Sequence, residues 1–222
     1  MKLGVLFSGG KDSTYAGYLA KEAGHDITCL ISLHSKNKDS YMFHTPTIEL
    51  TNEQANLMNI PLIIQETKGE KEKELEDLKK AIKKAIKEFS IKGIVTGAVE
   101  SVYQSSRIQR ICNELGIECF NPLWQKDQIE LLNELIKDKF KIIISSVAAY
   151  PLDKTWIGKT IDKKLIEELR KLQEKYKINP AGEGGEFESL VINCPLFKKE
   201  LKLPDFKIIG EGNSWRREVK LD

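Results

Sequence analysis

The chain has 222 residues, of which 41% are hydrophobic and 31% are charged, a composition typical of a folded globular protein. Its 35 basic and 33 acidic side chains leave a net charge of +2, which excludes a protein that binds nucleic acid through an overall basic surface. No segment approaches the length of apolar sequence that a membrane span requires, so we expect a cytoplasmic protein without membrane contact. The cysteines form no C-x-x-C pair, and their spacing predicts reduced, mostly buried thiols: Cys29, Cys112, Cys119 and Cys194.

Strands and helices alternate in the first half of the chain. Residues 3–7 form a short apolar run bounded by glycines, typical of a buried parallel strand, and an amphipathic helix over residues 12–23 follows and ends at Gly24. The same patterns predict strands at 27–33, 62–64 and 91–95, and helices at 70–89 and around 108–115. This order predicts an α/β fold, a Rossmann-like parallel sheet whose ligands bind at the carboxyl ends of the strands.

The pattern changes near residue 125, so we expect a first domain over residues 1–124 and a smaller α+β domain over residues 125–222. In the second domain we expect helices over 128–137 and 161–176 and strands over 141–147 and 189–192. A glycine-rich acidic loop over 182–188 separates the second helix from the second strand, and short extended segments complete the chain.

The strongest chemical signal lies between the first strand and the first helix, in the run Ser8-Gly9-Gly10-Lys11-Asp12-Ser13. Two glycines let backbone N–H groups approach an anion, and the start of the helix adds partial positive charge. Two hydroxyl groups and a lysine add further donors, while Asp12 can cap the helix or hold a metal ion. The run predicts a phosphate-binding loop. It is not a Walker A motif, because Gly10 stands where that motif requires lysine.

The acidic loop is the second candidate site. Its three carboxylates, Glu183, Glu186 and Glu188, lie among glycines that permit tight turns. Such groups can bind Mg²⁺, hold ammonium or accept its proton. Composition alone favours a plain solvated turn over a site.

The phosphate-binding run resembles the signature of the N-type ATP pyrophosphatases, the PP-loop superfamily. Further segments narrow the match: His44-Thr45-Pro46 with residues 48–51, Gly97-Ala98, Tyr103-Gln104 with Arg107, Pro122-Leu123-Trp124, residues 180–188, and residues 194–197. Together these segments resemble the diphthine–ammonia ligase family across nearly the whole chain. Ser105 and Ser106 depart from the pattern, since a bulkier or basic residue is expected beside Arg107.

The resemblance implies a PP-loop ATP-binding domain followed by a substrate or catalytic domain. It implies amidation of diphthine, a modified histidine of the protein partner elongation factor 2, with ammonium, giving diphthamide, AMP and pyrophosphate. ATP is expected to contact Ser8, Gly9, Gly10, Lys11, Asp12, Ser13, Gly97 and Ala98, with Mg²⁺ on Asp12. The expected substrate-binding residues are His44, Thr45, Tyr103, Gln104 and Arg107. The expected catalytic residues are Lys11, Glu183, Glu186 and Glu188.

Two other functions fit the phosphate-binding run alone, a tRNA-modifying PP-loop ATP pyrophosphatase and a nucleotide-binding sensor without catalysis. Thiolation of tRNA typically uses paired cysteines and a basic surface, neither of which the sequence shows. A sensor has no need of three carboxylates near phosphates that repel them. We therefore expect no direct nucleic-acid binding, and ammonia from free ammonium. The sequence leaves the choice between monomer and homodimer open.

Overall fold

The computed structural model describes residues 1–35, 48–68 and 73–219. The chain divides into two compact units, Met1–Trp124 and Gln125–Asp222. Within the described ranges, no helix combines the length and apolar character needed to cross a membrane.

The first unit is built on a five-stranded sheet whose neighbouring strands are all parallel. Its strands are β1 (Lys2–Leu6), β2 (Asp26–Ser35), β3 (Leu62–Thr67), β4 (Gly93–Val95) and β5 (Glu118–Phe120). Its helices are α1 (Lys11–Glu22), α2 (Ile48–Met58), α3 (Lys73–Phe89) and α4 (Val102–Leu115). This architecture confirms the expected Rossmann-like parallel sheet.

The strand order of this sheet, β3-β2-β1-β4-β5, fixes where a ligand can bind. The chain moves outward from β1 to β3 and then returns to the other side of β1 with β4. The order therefore reverses between β1 and β4, and ligands of such folds bind outside the carboxyl ends of the strands at this switch point. A ligand is therefore expected at the segments that follow β1 and β4.

The apolar core explains the helix that the sequence predicts most clearly. Leu78, Ala81, Ile82 and Ala85 recur at intervals of three and four along α3 and are completely buried against the sheet. The described part of this helix begins at Lys73; the earlier start expected at residue 70 lies outside the described residues. Neither α2 nor β5 was predicted from the sequence.

The second unit combines an antiparallel sheet with two α-helices, as the predicted α+β pattern requires. Its elements are α5 (Gln128–Lys137), β6 (Lys141–Val147), a short 3-10 helix (Lys154–Trp156), α6 (Lys163–Tyr176), β7 (Phe187–Asn193), β8 (Phe206–Glu211) and β9 (Ser214–Val219). The strand order is β7-β6-β9-β8. The short extended segments expected at the end of the chain form the β8–β9 hairpin.

Two predicted boundaries in the second unit were wrong. The helix expected from residue 161 begins at Lys163, because the Asp162 carboxylate caps it by accepting a hydrogen bond of 2.8 Å from the Leu165 nitrogen. The acidic loop is also shorter than expected, since Phe187 and Glu188 already belong to β7.

All four cysteines are free thiols, and three of them are buried, as predicted. Burial raises the pKa of Cys29 to about 12 and that of Cys194 to about 11, so both are protonated and unreactive at neutral pH. Cys112 shares a hydrogen bond with Cys119, which raises the Cys112 pKa and lowers that of Cys119. Both side chains of this pair pack in the apolar core of the first unit.

Candidate active site

The loop between β1 and α1 depends on a glycine and is braced by hydroxyl groups. Gly9 has a φ of +79°, in the left-handed region where a side chain is strained. The Ser8 backbone nitrogen donates to the Ser13 hydroxyl at 3.2 Å, and the two serine hydroxyls lie 3.1 Å apart. Thr14 Oγ1 donates to the Gly10 carbonyl at 2.7 Å. These bonds join the loop to the first turn of α1, where exposed N–H groups favour a bound anion.

Lys11 and Asp12 place a cation and a carboxylate in that first turn. Lys11 is only 3% exposed, and its Nζ lies 2.8 Å from Asp12 Oδ2. Asp12 Oδ1 is buried and has no hydrogen-bond partner within the described part of the chain. A buried oxygen left in this way costs free energy unless a ligand binds it. Asp12 is thus suited to the predicted role of Mg²⁺ ligand, because Mg²⁺ in nucleotide sites typically takes one or two carboxylates together with phosphate oxygens and water.

The described residues contain no group of three or more histidine, cysteine, aspartate or glutamate side chains that could hold a metal ion.

Gly97 belongs to the same site because the chain leaving β4 lies directly against the phosphate loop. A Cβ atom at Gly97 would lie 2.6 Å from both the Asp12 carbonyl carbon and the Ser13 nitrogen, so only glycine permits this approach. Ala98, which follows, is buried, and its N–H donates to the Thr96 hydroxyl at 3.1 Å. The structure thus brings Gly97 to the loop, whereas the N–H of Ala98 is already engaged by Thr96.

Gly97→Ala is expected to push the first turn of α1 away from β4. We expect the KM for ATP to rise about tenfold and the melting temperature to fall by several degrees, as for other overpacked sites that cost about 1–3 kcal/mol. Steady-state kinetics and thermal unfolding measure the two effects. Gly17→Ala is the matched control, since a Cβ there would make an ordinary contact at 3.4 Å with Val5. An unchanged KM in Gly97→Ala would contradict the close packing.

Three predicted substrate-binding residues lie in the first two turns of α4, just after β4. Ser101 caps this helix by accepting a hydrogen bond of 3.3 Å from the Gln104 nitrogen. The Arg107 guanidinium stacks on the Tyr103 ring, 3.4 Å from its centroid, in a cation–π contact. All three side chains are half-buried near the carboxyl edge of the sheet. The remaining two predicted substrate residues, His44 and Thr45, lie outside the described residues.

Hydrogen bonds hold the acidic loop of the second unit in a defined shape. Glu186 is 8% exposed, and its Oε1 accepts from the Asn179 nitrogen at 2.8 Å while its Oε2 accepts from the Gly184 nitrogen at 2.9 Å. Glu183 is half-buried in the loop, and the half-buried Glu188 lies on β7, paired with Ser146 of β6. Glu186 therefore braces the loop, a role that the sequence did not predict.

Two buried glutamines that were not predicted from the sequence hold these loops. Gln54 of α2 is fully buried, and its Nε2 donates to the Gly9 carbonyl at 3.0 Å. Gln128, the first residue of α5, accepts from the Ala181 nitrogen at 3.0 Å and donates to Asn179 Oδ1 at 3.2 Å. A long polar side chain on the buried face of a helix is the sequence signal that marks such residues.

Comparison with known proteins extends this description to both units. Two family models match, the diphthamide synthase N-terminal domain over residues 1–119 and the diphthamide synthase C-terminal domain over residues 127–218. The diphthine–ammonia ligase of Schizosaccharomyces pombe is 32% identical over 96% of this chain, which spans 38% of that protein. The human diphthine–ammonia ligase is 33% identical over 94% of this chain, which spans 85% of that protein.

A solved structure from Methanocaldococcus jannaschii, titled as a predicted subunit of tRNA methyltransferase, covers 90% of this chain and 100% of its own. Its TM-score of 0.45 and identity of 19% make the likeness too distant to bear on function.

The parallel sheet and the glycine loop at its switch point define an α/β protein of the class that binds ligands at the carboxyl ends of its strands. The family matches over both units identify it further. The chain belongs to the diphthamide synthase family, whose relatives named above are diphthine–ammonia ligases, and the resemblance predicted from the sequence is confirmed.

Proposed function

We propose that this protein is an ATP-dependent diphthine–ammonia ligase. It amidates the diphthine residue of elongation factor 2 with ammonium and converts ATP into AMP and pyrophosphate. The observation that carries the proposal is the match of both units to one enzyme family, including 33% identity to the human ligase over 94% of this chain. The chain spans only 38% of the fission yeast relative. The proposal therefore concerns the activity of the part of that protein that this chain matches.

The first half of the proposed reaction joins the diphthine carboxylate to AMP. A carboxylate oxygen forms a bond to the α-phosphorus, and the bond from that phosphorus to the bridging oxygen breaks, with its electron pair leaving on pyrophosphate. Backbone N–H groups at Gly9 and Gly10, the Ser13 hydroxyl and the Lys11 ammonium bind the β- and γ-phosphates and stabilise the departing charge. Mg²⁺ held by Asp12 supplies further neutralisation when it is bound.

The second half of the reaction replaces AMP by ammonia. The ammonia nitrogen attacks the acyl carbon, the bond to the AMP oxygen breaks, and the nitrogen loses a proton. Glu183 and Glu188 attract ammonium and accept its proton, while Glu186 keeps the acidic loop in shape. The half-buried side chains at the start of α4 contact the protein substrate: Tyr103, Gln104 and Arg107. His44 and Thr45 are assigned to the same substrate.

The elongation factor is the proposed macromolecular partner, and we place the enzyme with it in the cytoplasm. The scheme requires no direct contact with nucleic acid. Thiolation of tRNA receives no support from the cysteines, because Cys29 and Cys194 are buried and protonated and the Cys112–Cys119 pair lies in the apolar core. A sensor without catalysis leaves the two matched enzyme domains unexplained.

Incubation of the protein with ATP, ammonium and diphthine-bearing elongation factor 2 tests the proposal. We expect mass spectrometry to show the carboxylate converted to an amide. Chromatography is expected to show one AMP and one pyrophosphate for each amide formed. Reactions without ammonium or with unmodified elongation factor 2 serve as controls. ADP as the main nucleotide product, or an elongation factor of unchanged mass, would contradict the proposal.

A further inference from the structure

We infer that Gln54 is a positioning residue for ATP, which sets the direction of a phosphate-binding N–H group without touching the nucleotide. The inference rests on the proposed function and adds to it a residue that is not among the predicted site residues. Gln54 lies in α2, 45 residues after Gly9 in the chain. Its contact with the loop therefore exists only in the folded protein.

The hydrogen bond between Gln54 and Gly9 is buried. Gln54 has no exposed surface, and its Nε2 donates to the Gly9 carbonyl oxygen at 3.0 Å. A Cβ atom at Gly9 would collide with Gln54 Oε1 and would lie 3.3 Å from Thr51 Cγ2, so α2 is packed tightly on this peptide. Gly9 itself has a positive φ of 79°, a conformation that glycine adopts at little cost, so the contact with Gln54 rather than backbone strain fixes the direction of this peptide.

The geometry of the peptide bond transmits this contact to the phosphate site. In a planar trans peptide the carbonyl and the following N–H point in opposite directions. By holding the Gly9 carbonyl towards α2, Gln54 turns the Gly10 N–H away from α2. That N–H makes only a long contact of 3.4 Å with Ser8 Oγ, which a phosphate oxygen can replace. Loss of the Gln54 donor frees the peptide to rotate and misdirects the N–H.

The uncharged amide suits this task. A lysine or arginine at the same place would itself attract the phosphates, and a carboxylate would repel both them and the Gly9 carbonyl oxygen. Gln54 holds the carbonyl while adding no net charge beside Lys11 and Asp12. The charge of the loop is therefore set by the residues that face the ligand.

Gln54→Met tests the inference, because methionine has similar length and no amide donor. Calorimetric titration with inorganic pyrophosphate and with AMP, together with ATP kinetics, provides the measurements. We expect the pyrophosphate dissociation constant and the KM for ATP to rise about tenfold, the effect of one misaligned hydrogen bond to a charged group. The AMP dissociation constant is expected to stay unchanged, and kcat to change less than KM. Asn56→Met, at an exposed position of the same helix, is the matched control and is expected to behave as wild type.

Equal weakening of pyrophosphate and AMP would show general damage and would overturn the inference, as would unchanged pyrophosphate binding. A second measurement uses the wild-type protein and does not depend on folding of the variant. In nitrogen-15 NMR spectra, saturation with pyrophosphate is expected to shift both the Gly10 amide and the Gln54 side-chain amide; a Gln54 signal that does not move would overturn it. A wild-type protein that binds pyrophosphate but releases none from ATP in the presence of ammonium and diphthine-bearing elongation factor 2 would instead contradict the proposed function.

Discussion

Lys11→Ala and Asp12→Ala are each expected to lower the rate of ATP conversion about 10²–10³-fold, the range found when one preorganised electrostatic group is removed. Lys11 is buried in the first turn of α1 with its Nζ 2.8 Å from Asp12, so alanine removes the full positive charge of the loop. The Asp12 variant removes the carboxylate whose second oxygen has no hydrogen-bond partner within the described residues. Release of pyrophosphate from ATP in the presence of ammonium and diphthine-bearing elongation factor 2 measures both effects.

The matched control for these variants is Lys21→Ala, in the last turn of the same helix at an exposed position. It removes the same charge far along α1 and is expected to leave the rate unchanged. Circular dichroism and thermal unfolding establish that the variants keep their fold. Normal ATP conversion in both the Lys11 and the Asp12 variants would refute the assignment of this loop.

Glu186→Gln is expected to retain ATP binding and to lose amide formation by about 10²-fold or more, the size of effect that a positioned acid–base site supplies. Each carboxylate oxygen of Glu186 accepts one backbone N–H, from Asn179 and from Gly184. Glutamine keeps one acceptor and turns an NH₂ group towards the other donor, so one of the two bonds is lost. The loop that carries Glu183 then loses its defined shape. Amidation rate and ATP affinity are measured separately.

Hydrogen exchange distinguishes a structural role of Glu186 in the acidic loop from a role as proton acceptor. In Glu186→Gln we expect faster exchange at the Asn179 and Gly184 amides, whereas Glu183→Gln is expected to lower the amidation rate with exchange unchanged. Glu174→Gln, at an exposed position of α6, controls for removal of a carboxylate from this unit. Amidation by Glu186→Gln at the wild-type rate would remove this residue from the mechanism.

The elements predicted well from the sequence are those whose signals are local. The bounds of α5 agree because Asp127 caps the helix and Leu131, Leu132 and Leu135 are buried at helical spacing. In α2, by contrast, two of the buried side chains are Thr51 and Gln54, and their polarity obscures the apolar stripe. The strand β5 has three residues, none of them fully buried, which is too short a pattern to recognise.

The same distinction applies to the candidate site. Residues 8–13 are contiguous, and a glycine turn between strand and helix has a defined chemistry, so the loop was predictable. The approach of Gly97 to Asp12 and Ser13 depends on the pairing of β1 with β4, which spacing does not reveal. Similarly, Glu186 was predicted as a catalytic residue from its place in the acidic loop and from the family resemblance, whereas its two backbone bonds follow from the conformation of the loop.

The side-chain amide of Gln54, which links α2 to the phosphate-binding loop, bears on how the amidation rate depends on pH. An amide does not titrate in the physiological range, so the bond from Gln54 to the Gly9 carbonyl has the same strength in mildly acidic and mildly alkaline solution. The shape of the loop at this peptide is therefore insulated from protonation. A change of the amidation rate with pH therefore arises at ionisable groups elsewhere in the protein and not at this hydrogen bond.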